Sequence, residues 1–231
     1  MARAAVGRKS RQEKDELERD GGWNGAFGVK KTVRPVILGA GLLVWACAAV
    51  AGMGTMMAAA RTPDPAADAP AQWPAAITPP RPAPAHAVVC LHPKCPCSTA
   101  TLEALADLAA DSAGVAIDVL FAVPAHKPEW ADADLVERAR RVPGLNVVID
   151  EDGLRAAALG ARTSGQTFLY DAAGRLAFAG GLTPGRGESG PCDGLTALKS
   201  ALAGTNGPTP VRTTPVFGCA LYRSSTSEAH R

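Results

Sequence analysis

The chain has 231 residues, a formal net charge of +2, 47% hydrophobic and 20% charged residues. That length accommodates one ordinary domain plus flanking segments, and the near-neutral balance excludes both a strongly basic nucleic-acid binder and an acidic solvating chain. The composition is uneven, and the unevenness divides the chain into five segments.

Residues 1–34 carry nine Lys or Arg against five Asp or Glu. The interleaved signs and the lack of aromatic platforms predict a solvated tail rather than a nucleic-acid site. Residues 35–60 contain no charge. An apolar run of about 25 residues is long enough to cross a hydrocarbon layer of roughly 30 Å, so it reads as one transmembrane helix. A cleavable signal peptide is the rival reading, with Ala58-Ala59-Ala60 as the small-residue site. Val44-Trp45-Ala46-Cys47 is a poor lipoprotein box, and Cys47 reads as lipid-facing or packed. Lys30, Lys31 and Arg34 on the N-terminal flank, against Arg61 alone on the other, place Met1 in the cytoplasm. The remainder is then exported, which for a bacterium means an inner-membrane protein with a periplasmic domain, where disulfides persist. Residues 61–84 are dominated by Pro and Ala and predict an extended, semi-rigid spacer.

Residues 85–204 make one domain with ten Lys or Arg and fourteen Asp or Glu, a balance of minus four. Nothing there invites nucleic acid. Ala87 to Leu91 reads as a buried strand, and Ser98 opens a helix through Leu102, Leu105, Ala106 and Ala109 that stops near Gly114. Val115 to Val123 is a second strand and Ala131 to Val142 a helix closed by Pro143-Gly144. Leu145 to Ile149 is a third strand, and Leu154 to Leu159 a short helix. Thr167 to Tyr170 and Leu176 to Ala179 form a hairpin about Asp171-Ala172-Ala173-Gly174, with a positive φ expected at Gly174. A last helix covers about Asp193 to Leu202. This order predicts an α/β domain with a mixed sheet covered by helices on both faces. Residues 205–231 are a polar tail in which Val216-Phe217 and Leu221-Tyr222, bracketing Cys219, are the part expected to dock.

The chemistry concentrates in Cys90-Leu91-His92-Pro93-Lys94-Cys95-Pro96-Cys97-Ser98, at a strand-to-helix junction. Free N–H groups and the positive end of a helix dipole favour a thiolate there, which makes Cys95 and Cys97 candidate nucleophiles. Only Pro96 separates them, so a disulfide between them would close a tight ring and be readily reduced. The bland alternative is two small apolar residues at a helix start. Cys90 reads as a buried hydrophobe. His92 either tunes a thiolate, binds metal, or is satisfied at the strand end. His126 reads as solvated, and the loop Gly180 to Gly190, with Arg186 and Glu188, as mobile and without a nucleotide fingerprint.

Together the Cys95-Pro96-Cys97 motif, the Asp-Gly-Leu helix ending at Gly160 and the stretch Thr167 to Arg175 resemble the thioredoxin fold. The likeness covers roughly Ala87 to Ala203 and points to its membrane-tethered, extracytoplasmic branch of thiol-disulfide proteins. His92 to Ser98 and Pro215 to Cys219 also resemble segments of RedB-type proteins. The resemblance implies exchange with protein thiols or disulfides of the periplasm, with a redox-active disulfide and no other cofactor. Two departures stand out. The family has two residues between its cysteines where this chain has one, so Cys97 matches the second cysteine and Cys95 is displaced. Where the family places a cis-proline facing the dithiol, this chain has Ser164-Gly165-Gln166, and Gly165 would allow close backbone approach.

The resemblance also sets the Gly180–Gly190 loop beside the dithiol, bringing Cys192 near it. Cys192 and Cys219 are the leftover cysteines of an exported domain and are expected to pair, pinning the tail over the active face; pairing of Cys219 with Cys95 or Cys97 would instead favour a relay. Three functions follow: a thiol-disulfide oxidoreductase using Cys95 and Cys97; a soft-metal protein, for instance for copper(I), using Cys95, Cys97 and His92 or Cys219; or a non-catalytic binding module.

Overall fold

The computed structural model describes residues 30–77, 85–111, 115–204 and 210–222, with side chains from residue 37 onward. The tail before Lys30 and the flanking side chains of Lys30, Lys31 and Arg34 lie outside the described residues. The chain divides into two compact units, Met1–Met56 and Met57–Arg231. In the first, helix α1 (Lys30–Arg61) begins. Its segment Ile37–Arg61 is, among the described residues, the one helix long and apolar enough to cross a membrane, and its side chains are unburied.

The second unit is built on six strands: β1 (Ala85–Leu91), β2 (Ala116–Val123), β3 (Leu145–Glu151), β4 (Gln166–Asp171), β5 (Leu176–Gly180) and β6 (Arg212–Thr213). Between them run α2 (Ser98–Asp111), α3 (Asp134–Arg140), α4 (Leu154–Ala158) and α5 (Asp193–Ala203). The sheet order is β3-β2-β1-β4-β5-β6. β1, β2 and β3 are parallel, β4 runs antiparallel to β1, β5 antiparallel to β4, and β6 parallel to β5. This is the thioredoxin-like arrangement, with β1 in the interior of the sheet and its C-terminal end feeding the cysteine motif.

The apolar run of β1 has a physical cause. Every residue from Ala85 to Leu91 is buried because both faces of the sheet are covered. Alternation sends Ala87, Val89 and Leu91 to one face, with Leu105 and Leu108 of α2, Val136 of α3 and Leu198 of α5. Val88 and Cys90 go to the other, with Ala156 of α4, Leu159, Phe168 and Tyr170.

Three expectations are corrected and one strand is added. The helix expected over Ala131 to Val142 is interrupted: a 3-10 turn, Pro128–Asp132, precedes α3, and Ala133 between them is extended (φ −64°, ψ 147°). The break lets α3 turn Leu135, Val136 and Ala139 into the core. The Pro/Ala-rich segment, expected as an extended, semi-rigid spacer, lies against the domain as far as it is described, to Ile77. Tyr170 Oη donates to Pro70 O (3.1 Å), Gln166 Nε2 to Pro65 O (3.2 Å), and the Trp73 ring meets Tyr170 edge-on at 5.2 Å. Extended Pro-rich backbone leaves its carbonyls free, so donors of the domain can hold it while Trp73 and the buried Ile77 anchor it. In the tail, β6 adds a strand that no apolar alternation announces, because both of its residues are exposed. The loop Gly180–Gly190, expected to be mobile, is tied through Arg186 to two other segments, as described below. The hairpin is as expected: Gly174 has φ +72°, and Asp171 Oδ1 accepts the N–H groups of Ala173 (2.9 Å) and Arg175 (2.8 Å).

Candidate functional site: three sulfurs under a C-terminal strap

After Leu91 the backbone tightens before α2 begins. Cys95 N–H donates to His92 O and Ser98 N–H to Cys95 O, each at 3.1 Å. These turns set Cys95 in the interior, 3% exposed, with Cys97 half-buried beside it and Pro96 at the surface.

The third sulfur comes from far along the chain. Val216 and Leu221 are buried, and between them the tail crosses the motif as a strap. Ser164 N–H donates to Cys219 O (2.8 Å), Leu221 N–H to Arg162 O (2.9 Å), and Thr163 bridges Ala220 in antiparallel fashion. The strap thereby sets Cys219 Sγ 2.8 Å from Cys95 Sγ, in a shared hydrogen bond. The sulfurs of Cys95, Cys97 and Cys219 all lie within 4.8 Å of one another.

Arg186 and Asp64 lock the strap from the opposite side. Asp64 Oδ2 accepts Gly218 N–H (2.9 Å), Asp64 Oδ1 accepts from Arg186 Nη2 (2.7 Å), and Arg186 Nη1 donates to Gly218 O. Gly218 is required by contact: a Cβ there would stand 1.9 Å from Ser164 O.

The three thiols are electrostatically unequal. Burial works against a Cys95 thiolate, but hydrogen bonds from the side chains of Cys219 and Ser98 and the backbone of Cys219 and Cys97 outweigh it, so its pKa falls below the ordinary thiol value. Burial and the neighbouring Cys95 push Cys97 up, against the pull of the Arg186 guanidinium. Burial and the hydrogen bond to Cys95 push Cys219 up to about 12. Cys95 is therefore the member of the cluster whose thiolate is favoured, and Cys219 the member held as a thiol. The depression expected for both motif cysteines belongs to Cys95 alone.

The other sequence-selected residues fall outside the cluster. His92 does not join the sulfurs: its Nδ1 accepts Lys94 N–H (3.1 Å), its ring meets Trp130 edge-on at 5.3 Å, and burial lowers its pKa. A metal set of Cys95, Cys97 and His92 is thus replaced by one of Cys95, Cys97 and Cys219. Cys192 does not pair with Cys219; it is the N-cap of α5, where its Sγ accepts Leu195 N–H (3.3 Å). Cys90 is fully buried, and burial followed by the Asp150 charge pushes its thiol far up, so it is inert. Gly165 has φ +96° and donates its N–H to Cys90 O (2.8 Å); an added Cβ would be 3.9 Å from the strap's Phe217 O, so backbone does approach it.

Sequence reasoning missed Asp64, Arg186 and Ser164 as parts of the site. Ser164 Oγ lies 2.7 Å from Ser98 Oγ and accepts His92 N–H (2.9 Å), tying the motif to the loop before β4. Its position beside Gly165 was the available signal. Open grooves flank the sulfurs: one of about 340 Å³ touches Cys95, Pro96, Leu135 and Arg138, and one of about 880 Å³ touches His92, Trp130, Cys219 and Tyr222.

No family model and no curated protein matches the chain. Among solved structures it is similar to a hypothetical protein from Sinorhizobium meliloti (22% identity, TM-score 0.51, covering 71% of this chain and 96% of that one). It is also similar to an uncharacterized conserved protein from Geobacillus kaustophilus (17% identity, TM-score 0.53, 71% and 94%). A secreted Mycobacterium tuberculosis disulfide oxidoreductase matches at 16% identity with a TM-score of 0.39, over 52% of this chain and 81% of that one. The first two likenesses are of fold.

Proposed function

We propose that the protein is a membrane-anchored thiol-disulfide oxidoreductase of the bacterial periplasm, acting on protein thiols and disulfides through Cys95 and Cys97. The observation that carries this reading is the cluster of three sulfurs in which Cys95 alone has a depressed pKa. The Cys95 thiolate attacks one sulfur of a partner disulfide, forming a mixed disulfide and releasing the partner's other sulfur as a thiolate. Cys97, after losing its proton to that thiolate through water, attacks Cys95 Sγ. The products are a Cys95–Cys97 disulfide and a reduced partner, whose second sulfur leaves as a thiolate and takes its proton from water, so two electrons have passed to the partner, and the reverse sequence oxidises it. Burial and Cys95 push both remaining thiols up, but at Cys97 the Arg186 guanidinium opposes the push, so Cys97 rather than Cys219 is the resolving group. The one-residue spacing of the pair favours the disulfide-donating direction. The charge-free helix and its basic N-terminal flank support anchoring with Met1 in the cytoplasm.

The test is turnover of a protein disulfide by the full chain in detergent. Cys95→Ser should abolish it, and Cys97→Ser should accumulate a mixed disulfide on Cys95. Unchanged turnover by a Cys95→Ser, Cys97→Ser double variant would refute the reading.

The same three sulfurs favour a second reading, a soft monovalent metal such as copper(I) held by Cys95, Cys97 and Cys219. Metal and thiol content before and after reduction separates the two. Stoichiometric metal that blocks thiol titration supports the second, and metal-free protein with a reducible disulfide supports the first.

A further inference from the structure

The strap presents Cys219 to Cys95 as a separate polypeptide would have to. Its main chain pairs with Arg162, Thr163 and Ser164, and its one buried thiol partner is Cys95. Asp64 and Arg186 grip the N–H and C=O of Gly218, which are groups every residue except proline carries. Main-chain pairing along an exposed edge, with pockets for selected side chains, is how folded domains take up extended peptides.

Resting on the oxidoreductase reading, we propose that the slot formed by Arg162–Ser164, Asp64, Arg186 and Cys95 is the binding site for an extended cysteine-bearing peptide of the partner, and that residues Val216 to Leu221 occupy it in cis. The slot defines its occupant. The residue before the reactive cysteine must be glycine, because a Cβ there meets Ser164 O at 1.9 Å. Apolar residues belong three before and two after the cysteine, where Val216 (3% exposed) and Leu221 (5%) are buried. The partner sequence is therefore apolar, any residue, glycine, cysteine, any residue, apolar.

The mode of access follows. With the strap seated, Cys95 is 3% exposed and closed to a partner. A tethered segment has an effective concentration on the order of millimolar, so a free peptide at about 10 µM competes at a disadvantage of roughly a hundredfold. A side chain at Gly218 removes the competitor and leaves the slot intact.

The experiment uses the full chain in detergent, as parent and as Gly218→Val, and a peptide with the sequence of residues 213–222 whose cysteine is blocked by thionitrobenzoate. Release of the chromophore reports attack by Cys95. Gly218→Val should react at least roughly tenfold faster than the parent. It should also react faster with this peptide than with one bearing valine before the cysteine. Equal rates for the two proteins, or for the two peptides, would overturn the proposal. Leu221→Ala, which removes a buried anchor of the strap and leaves every residue of the slot in place, should shift the rate in the same sense and serves if Gly218→Val does not fold. Binding of a fluorescent peptide with serine in place of cysteine is read in parallel. Selective binding without chromophore release would uphold the slot and refute the oxidoreductase reading, whereas release without selectivity would do the reverse.

Discussion

Replacing Arg186 with Ala isolates what holds the strap. Its guanidinium is 30% exposed and Asp64 20%, so the pair is shielded but not dry. The variant loses the bonds to Asp64 and to Gly218 O. A hydrogen bond to a charged group contributes about 1.5–3 kcal/mol when buried and about 0.5–1 kcal/mol when solvated, so two partly shielded ones amount to about 2 kcal/mol of strap docking. At about 1.4 kcal/mol per factor of ten, the strap-open fraction rises roughly thirtyfold. Alkylation by iodoacetamide, followed residue by residue by peptide mass spectrometry, reads that fraction at Cys95, with fully buried Cys90 as the unreactive control. Cys97 should move the other way, because Arg186 is the charge that favours its thiolate. Arg186→Lys should restore part of the protection, since an ammonium replaces the charge but not the two-pronged geometry. A Cys95 rate within twofold of the parent, with Cys97 also unchanged, would refute the assignment of Arg186 as the latch.

Gly160→Ala should destabilise the domain by about 2–4 kcal/mol, because Gly160 has φ +74° and a Cβ would stand 2.1 Å from Asp68 O, lifting the Pro/Ala-rich segment off the sheet. A denaturation midpoint equal to the parent's would show that this segment contributes nothing to folding. Burial opposes the Asp171 carboxylate, yet the Arg175 and Ala173 N–H groups and the Arg175 guanidinium hold its pKa below the usual value. A depressed carboxylate stabilises the fold above its unfolded pKa of about 3.9 and loses that contribution as pH falls through the folded value. Arg175→Ala should therefore lower the melting temperature at neutral pH, and the gap should close in acid; a gap independent of pH would contradict it.

Much of the fold is written in local pattern. The apolar run to Leu91, the Ser98 start of α2 and the Asp171 to Gly174 turn each depend on neighbours within a few residues, so periodicity and turn chemistry are enough to place them. Cys95 and Cys97 at a strand-to-helix junction are legible for the same reason. The segments flanking the domain are not legible in this way. Residues 62–77 are held by carbonyls and two large side chains whose partners, Tyr170 and Gln166, are about a hundred positions away. Cys219 was equally ambiguous, since flexible tail geometry permits many pairings, and only the pairing of the strap with Arg162–Ser164 brings its sulfur to Cys95 rather than Cys192.

Short-range hydrophobic and conformational preferences are enough to fix β1 to β5, the helices α2, α4 and α5, and the two cysteines at the head of α2; they do not announce β6 or the break before α3. Long-range contacts set which thiol is activated, what covers it and what latches the cover. Those depend on hydrogen bonds and charges contributed by Asp64, Ser164, Arg186 and Cys219. The four residues come from separate parts of the chain, and no local pattern relates them.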